Sequence, residues 1–416
     1  MPRHPPWPVV VLGVLAILGG SVAVWVVETM PPDLEPDLLP SQVLAPPAAE
    51  FAGAVEGGRR AARDLVAWEK LPGLSLAVAV DGEVVWAEGF RYADLESRAP
   101  MTPSTRFRIG GVTEMLTAAA VGRLVERGRL DLDAPVRRYV PEFPEKEWPV
   151  RTRDLLSHTA GLRPHRGEGG IFVGPSCAGD ADRLARFADE PLRSRPGTER
   201  RYSTYGLSLA GAVVAAAAEE PFVDFVRREL LAPLGLDDTA PDVDARIAAV
   251  DARPYYPRLM LEPRFGVHDA PPIYPSCHLA AIGFVSTPID LVRFGAATID
   301  GTVLEPATVE SLWTPVTLED GTATGQGLGW AIRHVPLGAD GDLVRIVGHG
   351  LKGVVVKGSL GVETVGGQVA GATTTLLLVP ERRIAIAVAA NVSGAESVPR
   401  LALRLSDLFA RRAEGR

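Results

Sequence analysis

Strand-like runs lie at both ends of the folded part of this chain, and helical periodicity fills the stretch between them. Near the start, Leu74 to Val80 is apolar and partly β-branched, Asp81-Gly82 follows, and Glu83 to Ala87 runs apolar again. Two such runs around an Asp-Gly pair predict a β-hairpin. Near the end, Leu328 to Ile332, Leu343 to Val347, Thr374 to Val379 and Ile384 to Ala390 have strand character. Pro380 to Arg383 separates the last two as a turn. The expected fold class is α/β: an antiparallel sheet built from both chain ends and flanked by helices, with a helical insertion between.

The period changes after Gly111. Met115, Leu116, Ala119, Ala120 and Leu124 recur on one helical face, which ends at Gly128. Arg153 to His158 predicts a short helix, Leu207 to Ala218 a buried small-residue helix, and Pro221 to Leu231 another that Pro233-Leu234-Gly235 stops. Thr287-Pro288 starts one more helix, and Leu401 to Ala410 closes the chain as a helix. These signals assign about 48–115 and 320–411 to the α/β part of one domain at 48–411, and about 116–319 to its mainly helical part.

The N-terminus has a different character. Arg3 and His4 precede an uncharged apolar run from Trp7 to Val27, and about 20 such residues cross a bilayer as a helix. Trp7 and Trp25 stand near its ends, as interfacial aromatics do. The reading is a cytoplasmic tail at 1–6, a signal anchor at 7–27, and a Pro-rich stalk at 28–47 that carries the body into the periplasm or extracellular space. Ser21-Val22-Ala23 keeps a cleaved signal peptide open as the rival reading. Cys177 and Cys277 each sit in a Pro-Ser-Cys triplet. Export permits a disulfide, and two free thiols remain the alternative. Net charge is −8, from 43 basic and 51 acidic residues, and no long basic run exists, which argues against nucleic acid as a partner.

Several segments resemble one family in order along nearly the whole of 48–410. Thr105 to Met115 (TRFRIGGVTEM) is similar to its "T-x-F-R-I-x-S-x-x-K" opening, and Thr152 to Leu162 (TRDLLSHTAGL) to its "T-I-R-D-L-L-S-H-T-S-G-L" segment. Pro196-Gly197 through Tyr202 to Gly206 resembles "P-G…Y-S-N-Y-G". Gly128 to Pro141, Pro233 to Leu236 and Ser286 to Asp290 match as well. The family is the β-lactamase-related serine hydrolases, which includes class C β-lactamases, D,D-peptidases, penicillin-binding proteins, esterases and a filament-forming mitochondrial relative. The resemblance implies acyl transfer by a serine at a helix start. A lysine one turn on, a tyrosine-and-asparagine segment and a His or Lys motif on an edge strand would assist it.

The departures cluster on that list. Gly111 stands for the serine, Glu114 for the lysine and Thr204 for the asparagine, while Tyr202 and His349 are retained. His349-Gly-Leu-Lys-Gly353 lacks the usual continuation, and Gly366-Gly367 is its candidate partner after an insertion at 352–366. A helix N-cap at Gly111 with Glu114 at the third helical position is the plain structural reading. Thr113 is the nearest hydroxyl but faces elsewhere on the helix. Tyr202 with Glu114 as its base is the rarer catalytic reading. His158 reads as a buried, hydrogen-bonded histidine. A metal site from His158, His165, His268 and His278 would need folding to gather them, so neither metal nor cofactor is expected.

Two functions follow. The first is a pseudoenzyme that binds a peptidoglycan-type peptide, a small acyl ligand or a partner through Tyr202, Thr204 and His349. The second is a hydrolase of an ester or amide that uses non-standard residues. Self-assembly is suggested only by analogy with the filament-forming relative.

Overall fold

The computed structural model describes residues 32–164, 176–242, 252–259, 262–271, 273, 275–338, 341–349, 367–369 and 371–413. The apolar run at 7–27 and the insertion at 352–366 lie outside them. Among the described residues no helix is long and apolar enough to cross a membrane.

The sheet forms from both chain ends as expected. Its strands are β1 (Ser41–Val43), β2 (Gly73–Val80), β3 (Glu83–Asp94), β4 (Ala331–Leu337), β5 (Asp342–His349), β6 (Gly367–Val369), β7 (Ala372–Val379) and β8 (Ile384–Ala390). They run antiparallel in the order β1-β3-β2-β8-β7-β5-β4, with β6 on β7 and the short strand Ala99–Pro100 on β3. The principal helices are α1 (Ala52–Glu69), α2 (Thr113–Glu126), α3 (Thr152–Leu156), α4 (Thr204–Ala218), α5 (Pro288–Ile299) and α6 (Ser397–Ala413).

Two-residue periodicity explains why β8 is apolar throughout. Ile384, Ile386 and Val388 face the core shared with α1 and α6, while Ala385 and Ala387 face the core shared with α2, α4 and α5. The alanines let α5 approach closely: a Cβ on Gly295 would stand 2.5 Å from Leu378 Cδ2 and 3.2 Å from Ala385 Cβ. The helix at 288–299 therefore packs directly on the sheet. It belongs to the α/β layers, which corrects its assignment to the helical insertion.

Two other boundaries differ from the sequence reading. Residues 28–47 are not wholly a stalk. Leu39 is buried, β1 pairs Ser41 to Val43 with Phe90 to Glu88, and the Arg91 and Leu44 amides extend the ladder through Pro40 and Ala87. Prolines flank this edge strand without breaking it, because an edge tolerates missing donors. The other difference is that β4 starts at Ala331 and runs to Leu337, beyond the predicted Leu328 to Ile332. Pro336 obscures it in the sequence, and an edge position again accommodates the proline.

A chain that begins at Ala48 loses β1 and the buried Leu39. Urea unfolding should then show it less stable than a chain beginning at Pro32 by about 2 to 3 kcal/mol, the scale of one buried leucine. Equal midpoints would show that the edge strand contributes nothing.

Cys177 and Cys277 form a disulfide, with Cα atoms 4.9 Å apart and a sequence separation of 100. The Cys177 amide also donates to Ser276 Oγ at 3.0 Å. Of the two alternatives the sequence left open, the structure has the bridge. Closing so long a loop restricts the unfolded chain, so the Cys177→Ser/Cys277→Ser variant should lose about 2 to 3 kcal/mol under oxidising conditions. Reductant should lower the natural protein to the same midpoint and leave the variant unchanged.

Candidate functional site

The site is assembled by four distant segments. The chain leaves Phe107–Arg108, which pairs with Phe284–Ser286, and turns through Gly110 at φ +51 into a 3-10 turn at Gly110–Val112. Helix α2 follows at once. Thr374 Oγ1 on β7 donates to the Arg108 carbonyl at 3.2 Å, which ties this entry to the sheet. The loop before α4 brings in Tyr202, and the end of β5 brings in His349.

The helix start does not have the predicted capping arrangement. Val112 occupies the N-cap, no side chain caps there, and Glu114 is the second helical residue. The Glu114 carboxylate turns inward instead and is 1% exposed. Tyr202 donates its hydroxyl to Glu114 Oε1 at 2.6 Å, and His158 Nε2 lies 3.2 Å from Oε2. His349 Nε2 approaches the same oxygen at 3.7 Å. Tyr202 is 44% exposed, while its hydroxyl faces the buried carboxylate.

His158 is the member of this cluster that sequence reasoning did not place in the site. Its backbone sits in the left-handed region at φ +59, which is costly for a residue with a Cβ. The Leu155 carbonyl accepts its amide at 3.2 Å, and its own carbonyl accepts the Arg201 amide at 2.8 Å. The Ser203 amide points at Nδ1 at 3.4 Å, so Nδ1 accepts and Nε2 carries the hydrogen offered to Glu114. The Tyr202 ring packs against the imidazole at 4.6 Å between centroids. The only sequence signal was His158's place in the Ser157-His-Thr segment, 44 residues from its partner.

The electrostatics follow from this geometry. Burial alone would push the Glu114 carboxyl up, but His158 and then His349 outweigh it and bring it down to about 2. Burial and then the Glu114 charge push the Tyr202 phenol well above its ordinary 10. The carboxylate is thus ionised and the phenol protonated across the physiological range. Proton transfer from the phenol to this carboxylate is therefore strongly uphill.

The space beside Gly111 is occupied. A Cβ added there would stand 2.3 Å from His349 Cε1 and 2.5 Å from Nε2. Any side chain at 111 therefore requires the imidazole to move. Thr113 is fully buried with an unpartnered hydroxyl and does not face solvent. Thr204 is buried as the first residue of α4 and makes no hydrogen bond to Glu114, Tyr202 or His349. Of the expected ligand-facing residues, the structure joins Tyr202 and His349 and leaves Thr204 aside.

Among the described residues no group of three or more His, Cys, Asp or Glu side chains is arranged to hold a metal. His165 lies outside them, and His268 and His278 are not in the Glu114 cluster. A separate groove of 910 Å³ lies against α4 near Tyr139, Arg183 and Phe222 and includes none of the cluster.

A two-ended antiparallel sheet in which a helix start, a tyrosine loop and a strand-end histidine converge defines the serine β-lactamase and penicillin-binding-protein architecture. The chain belongs to the Beta-lactamase family, whose model matches residues 59–409. The human mitochondrial serine beta-lactamase-like protein LACTB is 28% identical over 371 residues, covering 68% of this chain and 67% of its own length. Esterase EstB of Burkholderia gladioli is 37% identical over 184 residues, covering 41% of this chain and 47% of its own. The D-amino acid amidase of Ochrobactrum anthropi, solved with L-phenylalanine amide, superposes with a TM-score of 0.69 at 26% identity, over 87% of this chain and 99% of that one.

Proposed function

We propose that this protein is a β-lactamase-family pseudoenzyme that binds a ligand through the old cleft without transferring its acyl group. The observation that carries the reading is the buried Glu114 cluster beside an occupied Gly111. Glycine supplies no oxygen to attack a carbonyl. The position that the family resemblance gives to a lysine holds a carboxylate already engaged by Tyr202 and His158. A carboxylate this acidic is a poor base, so the 2.6 Å Tyr202–Glu114 contact serves as a lock on the ring rather than as activation of a nucleophile.

The ligand class suggested by the family is a peptidoglycan-type peptide or a small acyl compound, held against exposed Tyr202 and against His349. Isothermal titration of the full chain with a penicillin and with an acylated D-amino acid amide tests this. Saturable binding with the ligand recovered intact is expected. Turnover that disappears in Tyr202→Phe would instead establish a hydrolase with non-standard residues.

Membrane attachment through 7–27 is a separate part of the proposal and rests on the length of the uncharged apolar run. Alkaline carbonate should leave the full chain in the pellet. Release into the supernatant at its full mass would contradict a single-pass anchor.

A further inference from the structure

Arg200 and Arg333 stand out near the cleft because neither forms an ion pair among the described residues. Arg200 Nη2 donates to Gln326 Oε1 at 3.1 Å. Arg333 Nη1 donates to the carbonyl of Gly325, the residue next to Gln326, and to Ile332 O at 2.7 Å. Two guanidiniums from distant segments, the loop before Tyr202 and the strand β4, thus clasp the same two-residue stretch.

That stretch leads into the part of the chain that packs on helix α2, which carries Glu114. Gly329, three residues beyond Gln326, lies so close to α2 that a Cβ on it would stand 3.1 Å from the Glu114 carbonyl oxygen. Arg200 itself is two residues before Tyr202.

The neighbouring carboxylates are already engaged. Glu319 takes Arg195 at 3.0 Å, Glu199 takes Arg201 at 2.6 Å, and Glu310 takes Arg345 at 2.9 Å. Glu114 attracts Arg200 through space, but its oxygens are committed to Tyr202 and His158. Each guanidinium has five N–H donors in a planar fork, and one nitrogen of each is used here. In a chain of net charge −8, two adjacent cations without an acidic partner repel each other, and a bound anion would relieve that repulsion.

We propose that Arg200 and Arg333 form a receptor for a dianionic oxyanion, a phosphate group carried by the ligand, at the edge of the Glu114 cleft. A single carboxylate would neutralise one fork and leave the other charge unmet. A phosphate monoester brings a charge of about −2 and three acceptor oxygens, which matches two forks. The inference rests on the reading of the cleft as a binding site and names the ligand's charged group.

The test uses inorganic phosphate as the probe, titrated into the full chain in a phosphate-free buffer and followed by calorimetry. Sodium succinate is run as a parallel dianion, and Arg200→Gln and Arg333→Gln are run beside the natural protein. Saturable binding of phosphate with a dissociation constant on the order of 1 mM is expected. Each variant should weaken it at least about 10-fold while keeping the natural melting temperature within a few degrees. Arg200→Lys should recover only part of the loss, because it restores charge without the fork. Phosphate binding that is absent, or unchanged in both variants, would overturn the assignment. Binding of succinate with none of phosphate would overturn the choice of phosphate. Failure here without any covalent reaction at the cleft would leave the pseudoenzyme reading intact, whereas acylation of the natural protein would refute that reading whatever phosphate does.

Discussion

Glu114→Gln is expected to lower the folding stability of this protein by about 3 kcal/mol at pH 7 and by much less near pH 2. The carboxyl is held at about 2 against an ordinary value of 4.5. A group whose acidity is increased by folding stabilises the folded state above its unfolded value, and that contribution fades as pH falls through the folded value. The difference of about 2.5 pKa units corresponds to about 3 kcal/mol, fully present above pH 4.5 and lost toward pH 2. Glutamine keeps the shape but presents an NH2 group where Oε1 or Oε2 accepted a hydrogen, so a buried donor from Tyr202 or His158 is left facing another donor. Urea unfolding at pH 7 and at pH 3 measures both parts. Equal stability of the two proteins at pH 7 would mean that the ionised Glu114 carboxylate does not stabilise the fold.

The second large effect is a gain of chemistry. Gly111→Ser with Glu114→Lys installs the residues that the family resemblance places there, but the serine side chain would collide with His349, whose Cε1 lies 2.3 Å from the new Cβ. The imidazole is the far end of a side chain with two rotatable bonds, so it can swing aside at some cost. The new lysine would also place a cation against His158 Nε2–H, which weakens the remaining cluster. The double variant is therefore expected to react slowly with a fluorophosphonate. Adding His349→Ala clears the space and should raise the rate by at least about 10-fold over the double variant, if the serine then reaches its normal rotamer. A triple variant no faster than the double one would show that the imidazole does not occlude residue 111.

The fold was legible because its signals are local. The Asp81-Gly82 hairpin, the period of Met115 to Leu124 and the Pro380 to Arg383 turn are each set by neighbours in sequence, and all appear as expected. The errors occurred where context overrides composition. Proline marks Pro31 to Pro47 and Pro336 as non-strand, yet both stretches contribute edge strands, where a missing amide faces outward. The position of α5 on the sheet could not be read either, because it depends on Gly295 meeting Ala385 across a long separation.

The site was legible in part. The family pattern identified Gly111, Glu114, Tyr202 and His349 as the residues to watch, and Tyr202 and His349 do converge with His158 on the buried Glu114 carboxylate. Helix-capping rules gave the wrong local role for Glu114, because a tertiary hydrogen-bond network outcompetes the helix end for its oxygens. The role of His158 depends on a contact across 44 residues and the meeting of Arg200 with Gln326 on one across 126, and no periodicity encodes them.

The most direct test of the central claim is the intact mass of the natural full chain after incubation with a penicillin and, separately, with a fluorophosphonate. The account predicts an unchanged mass with both reagents at long times, because Gly111 has no oxygen and Tyr202 is held protonated by its burial and by the Glu114 charge. A stoichiometric adduct would contradict it, and peptide mapping would then show which residue had taken over from the missing serine.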